Sequence, residues 1–346
     1  MSDWKKLLIP PDASFEEAIR ALDTGGMRIA LVAGGDGRLL GTVTDGDVRR
    51  ALLQHTPFSE PVSRIMNRTP RTVPIGTPRE DVVAIMHAHS LLQVPIVDAG
   101  FRVVGLETLI EAGQRLDNWV FLVAGGFGKR LRPLTDDLPK PMLPVGGKPI
   151  LETILDSFLR CGFHRFCIAI HYKAEVIKAH FGTGERWNAT IRYIEEDEPL
   201  GTAGALSLLP DTGGLPVMVM NGDLLTRVNF RDLLRFHEQH GAAATMAGRH
   251  HHYQVPFGVI DAEGAQVRRV VEKPIQSWLV NAGIYVISAE VVRRIERGQP
   301  LDMPDLLDAL VRRGEKVCFF PIHEYWLDIG QMSDFERAHR DISELS

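Results

Sequence analysis

The stretch NWVFLVAGGFGKRLRPLTDDLPKPMLPVGGKPILE, residues 118–152, decides the fold. It opens on the apolar run NWVFLVA, which reads as a strand buried on both faces. A glycine-rich, basic loop follows at once. From there the chain alternates: a helix over 150–161, the strand FCIAI, a helix over 174–181, the strand TIRYIEE, a helix over 203–208, and the strand VMVMNGD, which ends at Asp223. Such alternation predicts an α/β domain with a mostly parallel, Rossmann-like sheet covered by helices on both faces. Ligands of open α/β sheets bind beyond the carboxyl ends of the strands. The residues with chemical potential in this half stand at such ends.

In the loop, Gly125, Gly126 and Gly128 allow main-chain N–H groups to approach a polyphosphate without Cβ atoms in the way, and Ala124, just before them, is expected to join them at the nucleotide. Lys129, Arg130, Arg132 and Lys140 add positive charge. A glycine cluster alone is ordinarily a turn, but this density of basic residues favours a triphosphate cradle. The loop lacks the GKS or GKT of a P-loop and the GxGxxG spacing of a dinucleotide fold. Asp223, at a strand terminus in a phosphate site, suits Mg²⁺, which prefers one or two carboxylates with phosphate oxygens and water; read in isolation it is equally a turn or cap residue. The run His250, His251, His252 is expected to be an exposed loop, because consecutive side chains do not converge on one ion. His171, in AIHYKAE, is expected to pack or hydrogen-bond.

The N-terminal part repeats itself. FEEAIRALDTGGMRIALVAGGDGRLLGTVTDGDVRRAL can be laid over EDVVAIMHAHSLLQVPIVDAGFRVVGLETLIEAG with a shift of about 65 residues. Each copy reads as helix, strand, glycine turn, strand, helix, and PVSRIMNRTPRTVP between them reads as an extended connector. LVAGGDGRL at 31–39 mimics the glycine loop, but it runs straight into the strand LLGTV and is therefore a hairpin turn. Domains are expected at 1–116 and 117–346.

The αββα pair resembles a tandem pair of CBS domains, regulatory modules that bind adenine nucleotides. That resemblance implies Thr44 and Asp47, in GTVTDGD, at a ribose, with Thr108 and Glu111 in the second copy. Read from residue type alone, Thr44 and Asp47 cap a helix. The glycine loop with its KP pair closely resembles the signature of the sugar-1-phosphate nucleotidylyltransferases, and the likeness runs through residues 119–346. It implies Arg130 on nucleotide phosphates, Lys140 at the reacting phosphate, and Mg²⁺ on Asp223 and on Asp328 of YWLDIG. Lys129 stands where the family usually has Thr or Ser, and Gly330-Gln331 where it commonly has Gly-Thr. EEDEPLGTAGAL resembles the base-recognition loop, with Gly201, Thr202 and Ala203 around the base. VEKP and NAGIYV resemble the sugar side: Glu272 and Asn281 for hydroxyls, Lys273 for the sugar phosphate, Gly283 for close approach. The wording EPLGTAGAL together with the repeat pair looks most like guanylyltransferases, implying GTP and a hexose, heptose or amino-sugar 1-phosphate. The alternatives are a catalytically inactive nucleotide sensor and a nucleotidylyltransferase for a non-sugar phosphate.

Composition excludes other classes. Residues 1–116 hold 13 Lys+Arg against 14 Asp+Glu, leaving 26 against 30 beyond, so neither part has the basic excess of a nucleic-acid binder. The three cysteines, Cys161, Cys167 and Cys318, lack the paired spacing of zinc sites or disulfide frameworks and are expected to be reduced core residues in a cytoplasmic protein. No apolar run approaches the roughly 20 residues that would span a bilayer, and LLI near the start is too short for a signal peptide. The resemblance to paired CBS domains, which often associate, implies a homo-oligomer.

Overall fold

The computed structural model describes residues 4–25, 27–89, 91–108, 115–196 and 198–345. The chain divides into two compact units, Met1–Gln114 and Arg115–Ser346.

The first unit contains the repeat. Its first copy comprises Leu8–Ile9 (β1), Phe15–Gly25 (α1), Ile29–Ala33 (β2), Leu39–Thr44 (β3) and Asp45–Leu53 (α2); its second comprises Val73–Pro74 (β4), Arg79–Ala88 (α3), Gln93–Val97 (β5) and Val103–Thr108 (β6). The hairpin register repeats: Ile29 faces Thr44 and Ala33 faces Leu39, as Gln93 faces Thr108 and Val97 faces Val103. A short leading strand, β1 or β4, runs parallel to β2 or β5 in each copy; two residues are too few to give a periodic signal. Gly34 N–H donates to the Arg38 carbonyl, so the 31–39 glycines do form the expected hairpin turn. The helix expected to close the second copy, and Glu111 with it, lies outside the described residues.

The second unit begins with Leu116–Val123 (β7) and the small hairpin Pro144–Val145 (β8) and Lys148–Pro149 (β9). There follow Ile150–Arg160 (α4), Phe163–Ile170 (β10), Ala174–Phe181 (α5), Thr190–Glu195 (β11), Gly201–Gly204 (α6), Val217–Asn221 (β12), Leu224–Thr226 (β13) and Phe230–His240 (α7). The remainder is Ala244–Gln254 (β14), Gly258–Glu263 (β15), Gln266–Glu272 (β16), Ile275–Ile287 (β17), Ala289–Arg294 (α8), Met303–Arg312 (α9), Val317–Pro321 (β18), Trp326–Asp328 (β19) and Met332–Leu345 (α10). Seven strands make one sheet in the order β11, β10, β7, β12, β17, β14, β18. β17 runs antiparallel to both its neighbours, and the other pairings are parallel.

Alternation along β7 explains the two cores. Val120 and Leu122 pack with Leu151, Leu155 and Phe158 of α4 and Phe230 of α7 on one face. Trp119 and Phe121 pack with Met303, Leu306 and Leu310 of α9 on the other. Successive strand side chains point to opposite faces, so a doubly covered strand must be apolar throughout. All three cysteines are unpaired; Cys167 is buried, and burial pushes its thiol up to about 12. Among the described residues no helix is long and apolar enough to cross a membrane.

Two expectations change. The segment 203–208 is a short helix, Gly201–Gly204, that tightens into a 3-10 turn over Ala205–Leu208. The three histidines are not in a loop: they continue β14, with His250 opposite Leu279, His251 opposite Trp278 and His252 opposite Ser277. The partner strand, rather than any preference of histidine, extends the ladder there.

His237 gives a stability prediction. It is 2% exposed, lies 3.0 Å from Thr245 Oγ, and burial lowers its pKa to about 4. The unfolded chain binds this proton near pH 6.5 and the folded chain resists it. Stability from this residue is therefore complete above pH 6.5 and declines as pH falls toward 4. Lowering pH from 7.5 to 5 should cost about 2 kcal/mol from this group. Denaturant titrations of the parent and His237→Gln at both pH values check it: the variant should lose less.

Candidate active site

The glycine loop leaves the carboxyl end of β7, beside the ends of β10, β11 and β12. Gly128 has φ +61°, and a Cβ there would lie 2.8 Å from Thr135 Cγ2 and 3.1 Å from Lys140 Cβ. Only glycine lets the loop close against both. The buried Thr135 hydroxyl donates to the Gly128 carbonyl at 3.0 Å, which fixes the turn. Gly125 packs against His171 and the Glu196 carboxylate, whereas Gly126 opens to free space. His171 Nδ1 meets the Glu196 carbonyl at 2.7 Å, the hydrogen-bonding role expected of it.

The four basic residues part company. Lys140 is buried and its ammonium donates to Asp223 Oδ2. Arg130 reaches toward the other carboxylate: its guanidinium flanks Gly330, and its charge acts on Asp328. Lys129 lies over the Phe127 ring at 5.5 Å, and Arg132 pairs with Asp136 at 3.4 Å in solvent.

Asp223 and Asp328 come together through a two-stranded ladder. β13 pairs antiparallel with β19, Leu224 stands opposite Asp328, and Ile329 N–H donates to the Asp223 carbonyl at 3.0 Å. Part of the Asp328 side chain reaches solvent, yet burial of the rest, and then the Asp223 charge, raise its pKa; Lys140 and Arg130 oppose the rise. Asp223 Oδ1 is buried with no hydrogen-bond partner among the described residues. A buried carboxylate oxygen without a donor, on a group whose charge acts on a second carboxylate, is a costly arrangement that a divalent cation would relieve. The donor set therefore fits a hard, oxygen-liganded metal.

The remaining sequence-derived residues fall into three places. Thr202 bonds through its N–H and hydroxyl to Asp302, Gly201 packs against Leu301 and Asp302, and Ala203 is buried. Asn281 is turned on its own strand, donating to Tyr285 OH at 2.7 Å and accepting from Gly283 N–H at 2.9 Å, while Gly283 packs against Asn221. Glu272 and Lys273 are exposed at the end of β16, Lys273 with φ +46° and its N–H on the Phe257 carbonyl at 3.2 Å. The run of β17 from Ile275 to Asn281 spans about 20 Å, so the four sugar-side residues are not gathered in one cluster. In the first unit, Asp47 Oδ2 accepts from the Thr44 N–H at 2.8 Å and its hydroxyl at 2.7 Å, and Asp47 Oδ1 from Arg50. The two residues serve as the start of α2, and a cavity of about 490 Å³ bordered by Asp47, Arg50, His55, Glu60 and Arg64 lies beside them.

One residue escaped sequence reasoning. Glu196, at the end of β11, is half-buried; burial raises its pKa, and the Leu200 N–H partly offsets this. Its carboxylate stands beside Gly125. It sits in an acidic run, EEDE, whose members look alike until the sheet places one of them beside the loop.

Residues 120–344 match the nucleotidyl transferase family, and residues 4–54 and 62–106 match the CBS domain. A mannose-1-phosphate guanyltransferase of Pichia angusta is 34% identical over 223 residues, 62% of this chain and 61% of that protein. The mannose-1-phosphate guanylyltransferase catalytic subunit beta of Xenopus tropicalis is 32% identical over 222 residues, with the same coverage. The chain thus spans about three fifths of the length of these relatives. HddC from Yersinia pseudotuberculosis, solved in complex with GMP-PN, aligns with TM-score 0.50 and 25% identity over 65% of this chain and 99% of its own.

Proposed function

Because the chain belongs to the nucleotidyl transferase family, we propose that it transfers a nucleotidyl group from GTP to a hexose, heptose or amino-sugar 1-phosphate, releasing pyrophosphate. The observation that carries this reading is the carboxylate pair Asp223 and Asp328, held beside Lys140 and Arg130 at the mouth of a glycine loop. A sugar-phosphate oxygen is already an anionic nucleophile, so no general base is needed. It attacks the α-phosphorus of the triphosphate, the bond from that phosphorus to the β-bridging oxygen breaks, and pyrophosphate leaves with the electron pair. Catalysis then rests on positioning and on neutralising the charge of two polyanions. Lys140 and Arg130 supply fixed positive charge, and the loop N–H groups orient the phosphates. Nucleotidyltransferases of this family generally use a divalent metal; Mg²⁺ held by Asp223 and Asp328 would polarise the phosphate and ease departure of pyrophosphate.

Glu196 supports guanine. Guanine presents N1–H and the 2-amino group side by side, matching a carboxylate, whereas adenine and cytosine present a ring-nitrogen acceptor at the corresponding place. The likeness to mannose-1-phosphate guanyltransferases supports the same base and a hexose acceptor. A matrix of four nucleoside triphosphates against several sugar phosphates, followed by pyrophosphate release, tests the reading. GTP should lead, and Glu196→Gln should lower kcat/KM for GTP by about a hundredfold. Preference for UTP or dTTP would end the guanylyl assignment, and release with no pair would end the transferase one.

The first unit keeps a sensing role in view, in which adenine nucleotide binds the paired repeats. The polar cavity edged by Arg50 and Arg64 favours it, while the capping bonds of Asp47 leave that carboxylate already engaged. Thermal shift of the full chain with AMP, ADP and ATP decides; no shift with any of them would leave Thr44 and Asp47 as a cap. The reading places the chain in the cytoplasm as a homo-oligomer.

A further inference from the structure

The turn at Gly201 and Thr202 takes its shape from a segment about a hundred residues further along the chain. Asp302 Oδ1 accepts from the Thr202 N–H at 3.0 Å and from its hydroxyl at 3.2 Å. The same hydroxyl oxygen accepts from the Met303 N–H at 2.7 Å. Asp302 occupies the N-cap position of α9 yet makes no side-chain cap bond there. The helix therefore takes its cap from Thr202, and Thr202 takes its anchor from the residue that would ordinarily have capped the helix.

Backbone contacts surround this exchange. The Leu301 carbonyl accepts from Ala203 N–H at 2.9 Å and Gly204 N–H at 3.0 Å, and Leu301 N–H donates to the Leu200 carbonyl at 2.9 Å. Gly201 has φ +74°, and a Cβ there would lie 2.6 Å from the Leu301 carbonyl oxygen and 2.8 Å from Asp302 Oδ1. This glycine makes room for the chain itself. Downstream, Met303, Leu306, Leu307 and Leu310 fix α9 in the core on one face of the sheet. The turn is thus referenced to a rigid body that the local sequence LGTAG does not contain.

We infer that Asp302 is a positioning residue for nucleotide recognition, holding the Gly201–Thr202 turn in register with α9 so that it meets the base in one shape. The inference rests on the reading of Leu200–Gly204 as the base-recognition loop. Asp302 is exposed, so its bonds add little to global stability and their effect falls on the turn.

The test compares the full-length parent, Asp302→Ala and Asp302→Asn by GTP titration in the pyrophosphate assay, by equilibrium binding of GTP, and by thermal unfolding. In Asp302→Ala, KM and the GTP dissociation constant should rise about tenfold, with kcat within about twofold and the melting temperature nearly parental. Asp302→Asn, whose amide oxygen accepts the same two bonds, should restore most of the affinity. Unchanged GTP binding in Asp302→Ala overturns the inference, as does a loss of kcat that tracks a lowered melting temperature, or an Asn variant no better than Ala. A parent that neither binds nor turns over GTP brings down the transferase reading itself, an outcome separate from any of these.

Discussion

Lys140→Ala is expected to reduce turnover by about a thousandfold, the effect of removing a preorganised charge from a water-poor phosphoryl site. Lys140 is 9% exposed and its ammonium contacts Asp223. Without it, two carboxylates meet a triphosphate and a sugar phosphate with Arg130 as the remaining fixed cation near Asp328. Binding should weaken as well, since Asp223 loses its partner. Arginine should not rescue: Lys140 Cβ already lies where a Cβ on Gly128 would come within 3.1 Å, and a planar guanidinium needs more room than an ammonium. Single-turnover measurement of pyrophosphate release at saturating substrates is the check. Activity of Lys140→Ala within tenfold of the parent would take this residue out of the chemistry.

Asp328→Asn is expected to separate stability from activity. Burial and the neighbouring Asp223 charge raise the Asp328 pKa, so the folded chain resists ionising it. The stability at stake is present while the carboxyl is protonated, below the ordinary aspartate range, and is lost as pH rises through the raised folded value. At neutral pH the metal-free parent carries this strain and the asparagine variant does not. Its melting temperature in chelator should slightly exceed the parent's, since solvent around this exposed carboxylate screens most of the repulsion, and the gain should vanish in acid. Turnover in Mg²⁺ should fall about a hundredfold, because a neutral amide is a poor ligand for a hard cation. Added Mg²⁺ should raise the parent's melting temperature more than the variant's. A variant that is both less stable in chelator and fully active would contradict the placement of the ion.

Local sequence carried much of this fold. The run Trp119–Val123 announced a strand apolar on both faces, and Asp223 stood visibly at the end of another. Lys140 was legible because prolines on either side stiffen the segment that carries it within a basic loop. The missing parts depend on pairings between distant segments. Glu196 is one acid among several until β11 takes its place at the sheet edge, and the bond from Thr202 to Asp302 joins positions with no shared periodicity. His250 to His252 failed for a related reason: their conformation is set by β17, and composition around a triple histidine says nothing of a partner strand. Thr44 and Asp47 show the reverse, residue types whose plain reading as a helix start matches the contacts they make.

The ladder between β13 and β19 also imposes an order in time. Asp223 and Asp328 are paired through strands about a hundred residues apart, one near the middle of the second unit and one near its end. A ribosome adding about 5–20 residues per second delivers the second carboxylate some 5–20 s after the first. Until then Asp223 belongs to an unfinished sheet, so the carboxylate pair, and with it any ion the pair would hold, is complete only as translation of the unit is closing.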